Sequence, residues 1–279
     1  MKFLGIYRER MFSPGRVRDD KAIMDETLRA LRDHGNEIEA IEAETLDGGV
    51  PDVDCVLTMG QSDRVLKTLE ESRRRGARIV NDLASIRLCD RAPLMRRLAC
   101  AGLPLPPGKI WPVEDAEERV AFEPSKYYWV KRGDAHKVEP EDVVRVGSRR
   151  EFEVSLDHFR KRRIAQILVQ EHAEGEVVKF YGVRGGSAAG QTYFTAFPEK
   201  GDEEITGDLS ELRRVSAKAA AAVGLEVYGG DAVITRAGRV FLIDLNAWPS
   251  FARCRSRAAL HIAAYVSGEA ARFSPSNIG

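Results

Sequence analysis

Short apolar runs and amphipathic helical segments alternate in the first third of the chain. The apolar runs are at residues 3–7, 53–59 and 77–80, and the helical segments are at 19–34 and 63–75. Strands that alternate with helices in this way are typical of a parallel sheet covered by its helices. The pattern therefore predicts a small α/β unit that ends near residue 90.

Beyond residue 90 the pattern is mixed. Strand-like runs are at residues 127–131, 143–146, 167–170, 177–183 and 191–196, and helical segments are at 88–101, 148–163 and 209–223. The glycine-rich stretch GVRGGSAAG lies between two of the strands and lacks the Lys-Ser/Thr ending of a phosphate-binding loop, so it predicts a hairpin turn. We expect an α+β organisation for this part of the chain.

The stretch GGDAVIT at residues 229–235 and the stretch VFLIDLN at residues 240–246 predict a further hairpin. With its turn centred just after Ala237, Asp231 faces Asp244. The same register pairs Thr235 with Val240 and Val233 with Leu242. Like charges at paired positions destabilise a sheet unless a cation lies between them. The hairpin therefore predicts a site for a cation.

Period-two alternation adds a third oxygen ligand to this pair. It places Asn246 on the face of Asp244 and directs Phe241, Ile243 and Leu245 into a core. Two carboxylates and an amide oxygen make a set of hard oxygen ligands, which suits Mg²⁺. An exposed sheet face with ordinary polar residues is the alternative that the spacing leaves open.

The amino-acid composition indicates which partners and which kinds of site are not expected. The 43 basic and 43 acidic residues give zero formal charge, so neither nucleic acid nor a membrane surface is expected as a partner. The four cysteines include no CxxC pair, which favours neither a zinc site nor a disulfide framework. MKFLGIYRER has no signal-peptide core and the chain has no apolar run of membrane-spanning length, so the sequence predicts a cytoplasmic protein.

The acidic set resembles a known metal-binding pattern. Asp231, Asp244 and Asn246, followed by Pro249, are similar to the pattern of the ATP-grasp superfamily, which includes the RimK-like carboxylate–amine ligases. The form IDLNAWP looks closer to that of the inositol-phosphate kinases of the same fold. The resemblance implies that these side chains hold Mg²⁺, with Mn²⁺ as the alternative ion, against the phosphates of ATP.

The resemblance covers the whole chain and implies its fold, which is α/β followed by α+β. It implies a Rossmann-like pre-ATP-grasp unit at residues 1–90 and a two-lobed ATP-grasp fold, with an N-terminal lobe at 91–167 and a C-terminal lobe at 168–279. It also implies contacts with each part of the nucleotide. Lys131 would contact the α- and β-phosphates, Lys179 the γ-phosphate and Glu176 the ribose, and Arg91 stands in the place of a lysine of the family. Gln170 and the backbone of Glu171 and Ala173 would contact the base.

The sequence leaves alternatives to these nucleotide contacts open, and one loop departs from the pattern of the family. A solvated lysine at a strand end and a solvated acidic cluster of Glu171, Glu174 and Glu176 are the alternatives. The loop RGDAHKVEPEDV has a single glycine where the loops of the family are glycine-rich. We therefore expect either side chains such as His136 and Lys137 to cover the phosphates, or a less mobile lid.

The reaction follows from the resemblance and from charge. Lys179 and Arg253 are the expected catalytic residues, and Arg253 with Arg257 in a helix after the metal strand would hold a substrate carboxylate, unless they form a basic helix edge. Arg16 and Arg18 would close the other side of the cleft. We expect a ligase that joins small-molecule carboxylate and amine substrates through an acyl phosphate. A small-molecule kinase and a non-catalytic nucleotide-binding protein are the alternatives, and the oligomeric state stays open.

Overall fold

The computed structural model describes residues 1–46, 49–123, 125–134, 139–185 and 191–268. Within these ranges the chain forms three four-stranded sheets and eight α-helices. None of those helices is both long enough and apolar enough to cross a membrane.

The first sheet is parallel, as the alternating pattern predicts. Its strands are β1 (Lys2–Tyr7), β2 (Glu37–Glu42), β3 (Cys55–Thr58) and β4 (Arg78–Val80), in the order β2-β1-β3-β4, and its helices are α1 (Val17–Asp33), α2 (Asp63–Arg74) and α3 (Leu83–Arg87). The sequence pattern does not predict β2, because this edge strand, EIEAIE, carries side chains that are exposed or only part-buried.

The second sheet is antiparallel and follows α4 (Arg91–Cys100). Its strands are β5 (Gly108–Pro112), β6 (Tyr128–Arg132), β7 (Val143–Val146) and β8 (Gln166–Glu171), in the order β5-β8-β6-β7, with helices α5 (Val113–Arg119) and α6 (Arg149–Lys161). Phe152 and Leu156 of α6 pack against Tyr128 and Val130 on one face. Since side chains alternate along a strand, Lys131 lies on the opposite face.

The third sheet is also antiparallel. Its strands are β9 (Glu176–Arg184), β10 (Gln191–Pro198), β11 (Val227–Ile234) and β12 (Val240–Ala247), in the order β10-β9-β11-β12, with helices α7 (Ser210–Val223) and α8 (Arg255–Ser267). Phe180 belongs to the cluster that contains Leu212 of α7, whereas Tyr181 belongs to the cluster of Ile262 of α8. The two helices therefore cover opposite faces. The predicted pairing of β9 with β10 is confirmed, and residues 186–190 of the expected turn lie outside the described residues.

A β-bulge corrects the predicted register of the β11–β12 hairpin. Asp231 does pair with Asp244, but Val233 pairs with Phe241 rather than with Leu242. Ile234, rather than Thr235, pairs with Val240. The loop between the strands has an odd number of residues, and the extra residue of the bulge restores the register that brings the aspartates together.

The bulge also corrects the predicted faces of β12. Val240 and Leu242 are buried at 5% and 0% exposure together with Leu245, whereas Phe241 and Ile243 are part-buried. An extra residue reverses which side chains point inward on one side of the bulge, so simple alternation fails there. The prediction for Leu245 is confirmed, and the predictions for Phe241 and Ile243 are wrong.

The side chain of Asn81 joins the first sheet to the third. It is fully buried after β4, its Oδ1 accepts hydrogen bonds from the backbone N–H of Glu226 and of Val227, at 2.7 and 2.8 Å, and its Nδ2 donates to the Val227 carbonyl at 2.7 Å. Arg78 of β4 donates to Glu226 at 2.7 Å. These contacts anchor the start of β11, which carries Asp231.

Candidate functional site

Three charged side chains lie in one row across the third sheet. Asp231 of β11 pairs with Lys179 of β9 on one side and with Asp244 of β12 on the other. Lys179 Nζ donates to Asp231 Oδ1 at 2.7 Å, and the two side chains are 28% and 26% exposed. Burial raises the pKa of Asp231, Lys179 opposes this shift, and Asp244 adds to it. Two carboxylates thus face each other with one lysine beside them.

Asn246 and Gly229 form the next row on the same face. They are register partners, two residues from Asp244 and Asp231. A Cβ atom on Gly229 would lie 2.8 Å from both the Phe180 carbonyl oxygen and Pro249 Cγ, so only glycine fits beside the amide. Within the described part of the chain, the Asn246 side chain makes no hydrogen bond. Its amide is therefore available as an oxygen ligand.

The donor set of Asp231, Asp244 and Asn246 fits a hard divalent cation. The carboxylates oppose each other and are only partly neutralised by Lys179, and the third donor is an uncommitted amide. A different group of possible ligands, Glu139, Glu141 and His158, also occurs among the described residues. That group is largely exposed, and Glu139 already pairs with Arg162 at 3.2 Å, so it is the weaker candidate.

Lys131 approaches the acidic row from the second sheet. Its side chain is buried at 7% residue exposure, and its Nζ donates to Gln170 Oε1 at 3.0 Å. The pKa of Lys131 is lowered to about 8, chiefly by burial and secondly by the charge of Arg91, while the carboxylates of Asp244 and Asp231 oppose the shift. The predicted phosphate lysine therefore lies within the electrostatic field of the predicted metal ligands.

Arg91 lies at the start of α4 and is buried at 4% exposure. Its Nη1 donates to the Arg132 carbonyl at 2.9 Å, next to Lys131. Burial lowers the pKa of Arg91, and Asp244 is the strongest of the groups that oppose the shift. Arg91 and Lys131 are thus two buried cations that the same carboxylate stabilises.

The predicted base and ribose contacts lie in and around the connection between β8 and β9. Gln170 is buried at 2% exposure, and its Nε2 donates to the Pro106 carbonyl at 3.3 Å. The Glu171 backbone N–H donates to the Pro107 carbonyl at 2.7 Å. Ala173 lies between the two strands, and Glu176 is exposed at the start of β9. Their contacts with a nucleotide stay predictions.

Arg253 and Arg257 contact the protein itself. Arg253 precedes α8, which begins at Arg255, and its guanidinium donates to the carbonyls of Pro198 and, at 3.0 Å, of Glu199. Arg257 forms an ion pair with Glu204. The sequence predicts both arginines in the helix, and this is wrong for Arg253, because α8 begins two residues after it. Both arginines connect α8 or the residues just before it to the end of β10 and the segment that follows. Their contact with a substrate stays a prediction.

Of the other predicted residues, Arg16 and Arg18 lie in the described part of the chain. Arg16 and Arg18 are exposed, and within the described residues neither forms an ion pair. The charge of Arg16 acts on the phenol of Tyr181, whose pKa is raised to about 12 chiefly by burial. Arg16 therefore lies near the face of the third sheet that carries Lys179. His136 and Lys137 lie outside the described residues.

Sequence reasoning does not single out Trp129, two residues before Lys131 on β6, or His172, which lies in the β8–β9 connection. Trp129 Nε1 donates to His172 Nδ1 at 3.1 Å. The residues are 43 positions apart, and periodicity describes only neighbours along one element. The position of Trp129 two residues before Lys131 is the signal that would have placed it on the same face.

Comparisons with known proteins were made for the sequence and for the structure. No family model matches the chain, and no curated protein matches it either. Among solved structures, it is similar to the RimK domain protein ATP-grasp from Sphaerobacter thermophilus, with 18% identity, 95% of this chain and 100% of the other covered, and a TM-score of 0.69.

Two further solved structures have the same arrangement. The D-alanine–D-alanine ligase from Bacillus anthracis, complexed with ATP, has 14% identity, coverage of 96% and 99%, and a TM-score of 0.69. D-alanyl-alanine synthetase A from Vibrio cholerae has 9% identity, coverage of 96% and 98%, and a TM-score of 0.71. The expected fold is confirmed over nearly the whole chain: this protein has the ATP-grasp fold.

Proposed function

We propose that the protein is an ATP- and Mg²⁺-dependent ligase that joins a small-molecule carboxylate to an amine. The observation that carries the proposal is the row of Lys179, Asp231 and Asp244, with Lys131 within its field. Opposed carboxylates flanked by buried cations suit a metal-bound polyphosphate and have little use in a sheet otherwise. The similar solved structures that are named as ligases support the choice of reaction class.

The acidic and basic residues of the candidate site would contact different parts of Mg²⁺-ATP. Asp231, Asp244 and Asn246 would hold Mg²⁺, which neutralises phosphate charge when bound. Lys131, fixed by Gln170, would contact the α- and β-phosphates, and Lys179 the γ-phosphate. Because phosphoryl transfer depends mainly on positioning and charge neutralisation, these side chains need not exchange protons with the substrate.

The reaction has two balanced steps. A carboxylate oxygen attacks the γ-phosphorus of ATP, the bond to the β-phosphate oxygen breaks, and ADP leaves. The amine nitrogen then attacks the carbonyl carbon of the acyl phosphate, loses a proton, and inorganic phosphate leaves. Arg16 and Arg18 are the exposed cations available to hold the carboxylate, and Arg253 contributes through the segment that it fixes.

A small-molecule kinase of the same fold is the second candidate. The IDLN form of the metal strand favours it. Against it, Arg253 and Arg257 are bound to protein groups, which leaves few free cations for a polyphosphate acceptor in that region. A non-catalytic nucleotide-binding protein is the third candidate, and the intact acidic set argues against it. A cytoplasmic location remains part of the proposal.

A screen for ADP release with pools of amino acids, peptides and polyols would identify the acceptor. Phosphorus NMR on the active mixture then separates the two reactions. The ligase releases inorganic phosphate and, given hydroxylamine, yields a hydroxamate from the activated carboxylate. A stable phosphomonoester without inorganic phosphate would replace the ligase with the kinase.

A further inference from the structure

The turn that follows β12, at residues 248–251, holds two bulky residues in the left-handed backbone region. Trp248 has a φ of 43° and Phe251 a φ of 49°, and both side chains are fully buried. Left-handed backbone is unfavourable for large side chains, and a residue before proline, as Trp248 is before Pro249, favours extended backbone. Such a turn persists only where the surrounding contacts determine it. It begins two residues after Asn246, the third predicted ligand of the metal.

Arg8, directly after β1 of the first sheet, supplies one of these contacts. Its Nη2 donates a hydrogen bond to the Trp248 carbonyl, which is 240 positions away in the chain. Among the described residues, no other group donates to this carbonyl. The Trp248 backbone N–H donates to the Val227 carbonyl at 3.0 Å, and this carbonyl also accepts the hydrogen bond from Asn81. Arg8 therefore fixes the carbonyl of Trp248, and β11 fixes its N–H.

The guanidinium of Arg8 is itself held in place. Its Nε lies 3.1 Å from Asp20 Oδ2 on α1, and both side chains are 10% exposed. Asp20 also accepts a hydrogen bond from Ser13 Oγ. Burial lowers the pKa of Arg8, and the charges of Asp20 and then of Glu9 oppose the shift. A buried ion pair carries a desolvation penalty that apolar side chains of similar volume would avoid, so packing alone does not account for an arginine here.

We propose that Arg8 is a positioning residue for the predicted metal ligand Asn246. Its hydrogen bond to the Trp248 carbonyl holds the unfavourable turn in place and thereby sets the position of the Asn246 amide. This amide lies in the row next to Asp231 and Asp244. The inference rests on the proposed function, because it gives Asn246 the role of an Mg²⁺ ligand. Groups that orient metal ligands without touching the ion contribute roughly 10- to 100-fold to metal affinity.

Arg8→Met removes the donor to the Trp248 carbonyl. The affinity for Mg²⁺-ATP should fall roughly 10- to 100-fold, because the amide of Asn246 is no longer held where the ion binds. The affinity for ATP in EDTA should be unchanged, because Lys131 and Lys179 still contact the phosphates. The backbone N–H of Trp248 should also exchange faster with solvent, because the turn has lost one of its fixed contacts.

Arg78→Met is the matched control. Arg78 also joins the first sheet to later parts of the chain, since it donates to Glu226 at 2.7 Å and to the Val266 carbonyl at 3.2 Å. Neither partner lies in the turn after β12. This variant should lose stability, as Arg8→Met does, while its affinity for Mg²⁺-ATP should equal that of the wild type. A merely structural role for Arg8 would make the two variants alike in both measurements.

Two further variants test the path from Arg8 to the metal. Arg8→Lys keeps the charge beside Asp20 but lacks the planar fork that reaches two acceptors, so Mg²⁺-ATP should bind about 3- to 10-fold more weakly than to the wild type. This smaller loss is a partial rescue relative to Arg8→Met. The double variant Arg8→Met/Asn246→Ala should bind Mg²⁺-ATP as Asn246→Ala does, because Arg8 acts through Asn246. A further loss in the double variant would contradict that path.

The closing experiment is calorimetry with ATP on the wild type and these variants, once with Mg²⁺ and once with EDTA, with urea unfolding to show that each variant is folded. The inference is supported if Arg8→Met, or Arg8→Lys where Arg8→Met does not fold, weakens the binding of Mg²⁺-ATP but not that of ATP in EDTA. It is overturned if the wild type binds Mg²⁺-ATP and these variants bind it equally well, or lose both affinities to the same extent, and the proposed function then still stands. If the wild type does not bind Mg²⁺-ATP, the proposed function fails and the inference fails with it.

Discussion

Lys179 and Asp231 lie side by side on β9 and β11, with 2.7 Å between the lysine Nζ and Asp231 Oδ1. Asp244 faces the same aspartate from β12. Lys179 therefore pairs with one of the two facing carboxylates, while Lys131 and Arg91 interact electrostatically with the other. A divalent ion bound by both aspartates would take the place of the lysine beside Asp231 and release Lys179 toward a phosphate.

Lys179→Met should destabilise the metal-free protein. The substitution removes the ion-pair partner of Asp231, which also faces Asp244, and because the pair is about a quarter exposed, we expect a loss of roughly 1–2 kcal/mol in the free energy of unfolding. Urea unfolding measures this loss. Lys126→Met is the control, since the pairs that Lys126 forms with Glu123 and Glu171 lie near the surface, and its change should stay within about 0.5 kcal/mol. Equal effects of the two substitutions would contradict the assigned role of Lys179.

Lys131→Met should have the opposite effect on the metal-free protein. Lys131 is a buried cation beside Arg91, and a methionine of similar volume removes its desolvation penalty, so the variant should be more stable at pH 7 by about 1 kcal/mol. ATP should bind it more weakly, because a phosphate contact is lost. A destabilised variant with unchanged ATP affinity would mean that Lys131 serves packing alone.

The stability difference between the wild type and Lys131→Met should depend on pH. The pKa of Lys131 is about 8 in the folded protein and 10.5 ordinarily, so the unfolded chain binds more protons between these values. Stability of the wild type should therefore rise relative to Lys131→Met as the pH increases from about 8 to 10.5, and this gain is lost as the pH falls through 8. Thermal melts from pH 7 to 10.5 measure it. A constant difference would rule out the lowered pKa.

Asn81→Ala should destabilise the protein by about 2–4 kcal/mol, because it leaves the backbone N–H groups of Glu226 and Val227 without the Asn81 acceptor and removes one of the two donors to the Val227 carbonyl. Chemical unfolding provides the measurement. Asn36→Ala is the matched control, since Asn36 makes a single bond to the Leu31 carbonyl, and its cost should be below about 1 kcal/mol. The account of this junction fails if Asn81→Ala costs no more than Asn36→Ala.

Arg253→Ala should loosen the segment after β10, because the guanidinium no longer binds the carbonyls of Pro198 and Glu199. We expect faster hydrogen exchange in residues 199–209 and a higher KM for the acceptor, with the affinity for ATP unchanged. Arg214→Ala is the control, since among the described residues Arg214 pairs only with Glu211 on the surface of α7. Unchanged exchange with a large loss of kcat would instead assign Arg253 to direct contact with the reacting groups.

The sequence predicts some parts of the site because their signals are local. Asp231 and Asp244 lie in two strands joined by a short loop, so the turn and the chemistry of the aspartates together bring them into register. The bulge is not predictable, because Ile243 resembles any apolar strand residue. The contact of Asn81 with β11 spans 146 residues, and no local pattern reports it. The parallel sheet is predicted from its apolar strands, whereas the exposed β2 is not.

Calorimetry of Mg²⁺-ATP binding to Asp244→Asn tests the central claim most directly. The substitution keeps the shape of the side chain but removes one of the two facing carboxylates, so Mg²⁺-dependent binding of ATP should be lost. Asp52→Asn, which makes the same change of charge at an exposed loop position, should bind as the wild type does. If Asp244→Asn binds Mg²⁺-ATP as tightly as the wild type, the assignment of the metal site to Asp231, Asp244 and Asn246 is contradicted.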